Sequence, residues 1–184
     1  MATSFVQIAN RALTYLGAST ITALSDDTKE ARACNRLYEQ TRDQLLRDHP
    51  WNFAIFRASL AANTTAPVYE YTNAFDFPDQ TLRIIEVNTA EEWAVEGRQI
   101  VTDAAAPLEI VYVKRITDPT QFDAKFVEAY ALRLAADIAY DITANQTVAT
   151  TAEQKFAVLL KEASLVDEQE SVSGNEQCCL DERV

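Results

Sequence analysis

The sequence predicts an α+β fold: a four-helix bundle body with a small antiparallel β insertion between helices 2 and 3, and an acidic C-terminal tail. Three observations lead to this expectation. Apolar residues recur at helical spacing in both end regions of the 184-residue chain, short runs rich in Val, Ile, Tyr and Trp fill the middle, and acidic residues accumulate at the end. The predicted divisions are residues 1–50 and 117–168 for the helical body, 51–116 for the β insertion and 169–184 for the tail.

The first two helices are marked by their end signals. Ser4 is typical of an N-cap before the apolar spacing of helix one, and Gly17 suits the left-handed position after its last turn. Helix two is predicted to begin at Asp27 with a capping box and to end at His49, because the following proline disfavours a helical conformation there. Each helix therefore carries one apolar face and defined ends.

The middle of the chain predicts strands and the last third predicts helices again. A strand apolar on both faces is expected from Trp51, and shorter candidates follow at 68–71, 82–88, 93–96, 99–102 and 108–113. Gly97-Arg98 is expected to join two of them as a hairpin within a small antiparallel meander. Helix three is predicted after Asp118-Pro119, and helix four from about Thr147 to about Glu168.

The charge is strongly acidic and unevenly distributed. The chain has 16 basic and 28 acidic residues and a formal net charge of −12. Residues 1–60 carry +1, residues 61–116 carry −5 and residues 117–184 carry −8. Such a surface excludes tight non-specific nucleic-acid binding, which depends on phosphate neutralisation by cations. No apolar run is long enough to span a bilayer and no signal peptide is recognisable, so we expect synthesis in the cytoplasm and no membrane partner.

No residue pattern predicts catalysis, a metal site or a cofactor. His49 is the single histidine and is best interpreted as a helix-end residue rather than a general base. The pairs Asp26-Asp27 and Glu91-Glu92 are interpreted as helix-start and surface charges rather than as paired catalytic acids. Three cysteines, Cys34, Cys178 and Cys179, offer neither zinc-ligand spacing nor an even number for pairing, so reduced thiols are expected.

Two groups of residues are candidates for contacts between subunits. One face of helix two carries charges of both signs, which suits either solvent or a neighbouring copy of the chain. Its members are Arg32, Arg36, Glu39, Asp43 and Arg47. Aromatic residues follow that helix and anchor the β insertion, either within the core or against another subunit. They are Trp51, Phe53 and Phe56.

Three stretches of the sequence together resemble one family. Helix one ends in LG, the stretch SDDTKEARACNRLYEQTRDQLLRDHPWNFA follows, and FVEAYALRLAADIAYDIT comes later. In this order and spacing they resemble the head-to-tail adaptor (connector) proteins of tailed phages, the group called tail tubular protein A in short-tailed phages. The resemblance covers about residues 4–168, and its most specific part is Asp43–Ala54.

The resemblance implies a structural role in the neck of the virion. It implies a ring, usually of twelve copies, beneath the portal protein, with the helical body around a channel and the β part against the downstream tail or nozzle protein. Double-stranded genomic DNA would pass through during packaging retention and ejection without specific binding. The C-terminal segment would dock on the portal; its candidate residues here are Asp167, Glu168, Glu170, Leu180 and Val184.

Several alternatives remain open from the sequence. A virion-associated carbohydrate or cell-wall hydrolase is the main one, and a cellular helical adaptor is another. The acidic charge suits a channel lined by carboxylates that does not hold DNA, or only the solubility of the protein. The last residues suit portal docking, or a disordered solvating end.

Overall fold

The computed structural model describes residues 3–171, with side chains through residue 162, and divides into two compact units. The first unit joins the two ends of the described chain, up to Leu45 and from Thr117 onward, and contains most of the helical residues. The second unit spans Leu46–Ile116 and contains every described strand. The fold is therefore α+β, with the strands inserted between the second and third helices.

The first two helices have local determinants at their ends. Helix α1 (Phe5–Leu16) begins with a capping box, because Ser4 accepts from the backbone N–H of Gln7 and the Gln7 side chain accepts from that of Ser4. Gly17 ends it with φ +67°, in the left-handed region. Helix α2 (Lys29–Asp48) is capped by Thr28, whose hydroxyl accepts from the backbone N–H of Ala31 at 3.1 Å. The prediction that Asp27 caps α2 is wrong by one residue.

Helix α3 (Ala124–Thr143) forms the centre of the helical unit. Asp123 caps its start, accepting from the Lys125 backbone N–H at 2.7 Å. Small residues on several sides of α3 are almost fully buried, which allows close approach of neighbouring helices. They include Ala129, Ala131, Ala135 and Ala139. Helices α1 and α4 (Gln146–Ser171) both pack along α3.

The predicted four-helix bundle is wrong. A bundle requires each helix to line a common core along its length. Helices α1, α2 and α3 share an apolar core to which α4 contributes Val148 and Ala149 from its first turn, and the extensive packing of α4 is against α3. Farther along α4, Val158 is 59% exposed. Helix α4 is therefore mainly a partner of α3.

The β unit contains two three-stranded antiparallel sheets. Their strands, in chain order, are β1 (Ile55–Leu60), β2 (Asn73–Asp76), β3 (Thr81–Val87), β4 (Trp93–Glu96), β5 (Gln99–Thr102) and β6 (Leu108–Lys114). One sheet has the order β1-β6-β3 and the other has the order β2-β5-β4. The prediction of one small meander is wrong, because β6 returns between β1 and β3, both distant in sequence.

The two sheets share an apolar core within the β unit. Phe75 of β2 and Ile100 of β5 pack with Leu108, Ile110 and Tyr112, which occupy alternate positions of β6. The β4–β5 hairpin turns at Gly97 with φ +60°, as its Gly-Arg pair predicts. Short runs with a strong local signal thus form strands, and the shared core determines which of them pair.

Candidate functional site: surfaces of the two units

The charged face of α2 has partners within the chain. Arg32 forms an ion pair with Asp27, and Arg36 forms one with Asp141 of α3. The side chains of both arginines are more than 60% exposed. Exposed pairs of this kind contribute only about 0–1 kcal/mol, so a neighbouring molecule could exchange them at little cost.

Farther along the same helix, one charged pair is buried, and Arg47, which belongs to the second unit, bonds within that unit. The Arg42 guanidinium is only 5% exposed and donates to Asp43 Oδ1, with distances of 2.9 Å from Nε and 2.8 Å from Nη2. Glu39 accepts from the hydroxyl of its neighbour Tyr38 at 3.3 Å. Arg47 Nη1 donates to the backbone carbonyl oxygen of Leu82 at 2.6 Å, inside the second unit. The predicted face is thus exposed at its first half and has structural contacts at its second half.

Polar contacts within the helical unit join α2 to α3. The Thr41 hydroxyl, which is buried, donates to Asp137 Oδ2 at 2.9 Å, and Asp137 also pairs with Arg133 at 3.3 Å. The Tyr130 hydroxyl donates to the backbone carbonyl oxygen of Tyr38. Burial raises the pKa of Tyr130, so this hydroxyl keeps its proton at neutral pH. These groups position the two helices relative to each other.

The predicted aromatic anchor divides into a buried and an exposed part. Trp51 is 1% exposed, and its ring lies 4.8 Å from that of His49 in an edge-on arrangement. The ring centroid of Phe53 lies 6.5 Å from that of Trp51. Phe56 is 36% exposed, with the Lys114 ammonium group 5.1 Å above its ring. The structure therefore places Trp51 in the interior and leaves Phe56 accessible.

The candidate portal-docking residues fall at the end of the described chain. The backbone of Asp167, Glu168 and Glu170 belongs to α4, and their side chains lie outside the described set. Leu180 and Val184 lie outside the described residues altogether, as does most of the predicted acidic tail.

The acids of the β unit provide a groove but no identified catalytic pair. Glu86 and Glu109 line a cavity of about 480 Å³ on the outer face of the β1-β6-β3 sheet, together with Arg57. The Asn88 side chain donates to Glu109 Oε2 at 2.9 Å. Arg57, Glu86 and Glu109 are all exposed. The groove therefore lacks the water-excluding walls that raise the pKa of a catalytic acid.

Three described carboxyls have clearly shifted pKa values, and all three values are lowered. The causes are donated hydrogen bonds: from the Ala23 and Thr22 backbone to Asp26, and from the Thr120 hydroxyl and backbone to Asp118. The Asp76 pKa is lowered by the side-chain amide of Gln99 and then by that of Asn63. A glycosidase acid requires the opposite shift, so these carboxyls act as turn and strand anchors.

The described part of the chain lacks two further kinds of site or segment. None of its clusters brings together three or more His, Cys, Asp or Glu residues that could hold a metal ion. None of its helices is long and apolar enough to cross a membrane.

Sequence reasoning missed the exposed apolar residues of the β unit. Val68 is 105% exposed and Tyr69 is 81% exposed, in a segment predicted as a strand but found as an irregular loop. Trp93 and Val95 are 39% and 48% exposed on β4. The alternation of WAVE between acidic residues already places Trp93 and Val95 on one face, and that pattern could have identified them.

Comparison with known proteins does not identify the chain. It matches no model of a known protein family and no curated protein sequence.

Proposed function

We propose that this protein is a structural head-to-tail adaptor of a tailed phage, which assembles as a ring between the portal and the tail. The observation that carries the proposal is the arrangement of the chain: a helical unit built from both ends, interrupted once between α2 and α3 by a β unit. The join lies within Asp43–Ala54, the stretch with the most specific resemblance to that family. The proposal does not depend on a four-helix bundle.

The acidic charge of the chain supports such a role. Each cation that contacts phosphate releases counterions and adds affinity for DNA, which would slow its passage through a channel. A protein with 28 acidic and 16 basic residues holds DNA weakly. In the proposed ring, carboxylates line the channel, and DNA passes without specific binding.

The exposed half of the α2 face is the proposed contact between neighbouring copies. The acids that pair with Arg32 and Arg36 within one chain are themselves half-exposed or more. A neighbour's carboxylate can replace them without burying an unpaired charge, which would be costly elsewhere. The buried Arg42–Asp43 pair is not part of this proposed interface.

Electron microscopy of the protein mixed with the portal protein of the same phage genome tests the proposal. The expected product is a portal carrying an added ring on its tail-side face. The double variant Arg32→Ala/Arg36→Ala should keep the helical content of the parent and form fewer rings. Arg57→Ala/Arg98→Ala, an equal charge change at two exposed arginines of the β unit, serves as the matched control. Portal particles without an added ring at saturating protein would contradict the proposal.

A further inference from the structure

Strand β4 lies at the edge of its sheet, because the sheet order is β2-β5-β4. A two-residue turn connects Glu96 to Gln99. In a hairpin with such a turn, the two residues that flank the turn exchange backbone hydrogen bonds, so Glu96 and Gln99 form a hydrogen-bonded pair. Hydrogen-bonded pairs alternate along an antiparallel ladder, so Ala94 and Glu96 direct their backbone groups toward β5. The N–H and C=O groups of Trp93 and Val95 therefore point away from the sheet.

The opposite edge of the same sheet is covered. On β2, the outward carbonyl oxygen of Ala74 accepts from the backbone N–H of Asn63 at 2.8 Å. Within residues 3–171, the outward edge of β4 has no corresponding backbone bond. An uncovered edge of this kind is the template for strand addition, in which an extended chain pairs with it.

The side chains of this edge continue the apolar core outward. By register, Val95 lies beside Ile100 and Phe75 on the face that packs into the core of the β unit. Val95 and Trp93 remain 48% and 39% exposed, because β4 is the edge strand of its sheet. An added strand would cover both side chains and complete that face.

The charged residues beside the β4 edge favour one kind of partner strand over another. The hairpin region 91–103 contains four acids, Glu91, Glu92, Glu96 and Asp103, and one base, Arg98. The symmetric register that pairs most of β4 with a second copy is centred on Ala94, and it would oppose Glu92 to Glu96 twice. Directly opposed like charges are destabilising. A partner strand with basic residues would instead be attracted.

We propose that β4 is a docking edge for an extended, basic segment of another protein, which adds as a strand beside Trp93 and Val95. Backbone hydrogen bonds would supply the pairing, the two apolar side chains would be covered, and Glu91, Glu92 and Glu96 would select for Lys or Arg. The proposal rests on the β unit alone and does not depend on ring formation.

The test uses the full-length protein and synthetic peptides of about nine residues, long enough to pair with β4 and its flanks. The probe alternates lysine with valine. One control peptide has glutamate in place of lysine, and a second has proline in place of alternate valines, which removes backbone donors. Binding is followed by NMR shifts of the backbone amides. We expect the basic peptide to shift Trp93 and Val95 and both control peptides to leave them unchanged.

Variants separate the contributions of the backbone and the charge. Val95→Pro removes an outward N–H and should weaken binding about tenfold or more, while β5 amide signals report that the hairpin is intact. Val95→Lys is the second variant, in case proline disrupts the hairpin. Glu91→Gln/Glu92→Gln should weaken binding about threefold at low salt. Glu153→Gln/Glu162→Gln, an equal charge change on α4, should have no effect.

Three results would overturn the proposal. The first is equal binding of the acidic peptide, which would show that charge does not select the partner. The second is the absence of shifts at Trp93 and Val95 with excess basic peptide, which would indicate that the acids only protect the edge from aggregation. The third is concentration-dependent pairing of β4 with a second copy in the protein alone.

Discussion

The buried Arg42–Asp43 pair allows a quantitative test of how the helical unit is stabilised. The Arg42 side chain is 5% exposed and that of Asp43 is 25% exposed. Removing one partner of a buried pair costs about 3–5 kcal/mol, because it leaves an uncompensated buried charge. Since water reaches part of Asp43, we expect Asp43→Asn to lower the free energy of unfolding by about 2–3 kcal/mol.

The opposite substitution should cost much less. Arg42→Met keeps a long apolar side chain in the same place and removes the buried charge together with its desolvation penalty. The remaining Asp43 carboxylate can be solvated, so we expect a loss of about 0–1 kcal/mol. The two variants should then differ by about 2 kcal/mol, which is roughly thirtyfold in the unfolding equilibrium constant.

Equilibrium urea unfolding monitored by far-UV circular dichroism measures this difference, because the signal comes mainly from the helices. The denaturant dependence must stay the same in all variants, so that midpoints report stability. The double variant should resemble Arg42→Met, since the charge that needs a partner is gone. If Arg42→Met costs as much as Asp43→Asn, or if Asp43→Asn costs less than about 1 kcal/mol, the buried Arg42 charge does not depend on its partner.

Four further predictions concern Tyr130, Cys34 and Gly97. Tyr130→Phe removes the hydrogen bond of a buried hydroxyl to α2 and should cost about 1 kcal/mol in the same urea assay; no loss would contradict a structural role. Burial raises the pKa of the Cys34 thiol to about 11 from 9.0, so stability should fall as pH rises through this interval, and less so in Cys34→Ala. In a Cys178→Ser/Cys179→Ser background, Cys34 should react with a thiol reagent only on unfolding; reaction in the native state would refute its burial. Gly97→Val should lower stability by about 1–2 kcal/mol and Gly97→Asn by less, measured by tryptophan fluorescence; equal costs would argue against φ as the cause.

Features determined by neighbouring residues were predictable from the sequence. The Ser4 cap, the Gly17 helix end and the Gly97-Arg98 turn each depend on a few adjacent side chains, and each has the predicted conformation. The 68–71 segment fails the same kind of prediction despite its β-forming residues. Glu70 adopts φ +68° there, a left-handed conformation that interrupts an extended strand.

Features determined by distant residues were not predictable. The pairing of β6 with both β1 and β3 depends on burial of Ile110 and Tyr112 against residues far along the chain. Periodicity likewise shows that a helix has an apolar face and does not show which helix covers it. The four-helix bundle was therefore wrong even though all four helices exist.

Prediction of the candidate site was limited for a related reason. The sequence pattern predicts one charged face on α2, but Asp141 and Leu82, the partners of Arg36 and Arg47, are distant in sequence. The exposure of Trp93 depends on the position of β4 at a sheet edge, which only the sheet order reveals. Residue type and spacing could identify candidates, and topology determined which of them are accessible.

The two proposals use separate surfaces, and the same variants can distinguish them. If neighbouring copies meet through the exposed half of the α2 face, neutralising Glu91 and Glu92 on the β unit should not change ring formation on the portal. The same change should weaken binding of the basic peptide, because these two carboxylates flank the free edge of β4. Arg32→Ala/Arg36→Ala should have the reverse pattern, reducing rings and leaving peptide binding intact. If one variant reduces both ring formation and peptide binding, assembly and strand addition use one surface. The assignment of assembly to the helical unit and of strand addition to the β unit would then be wrong.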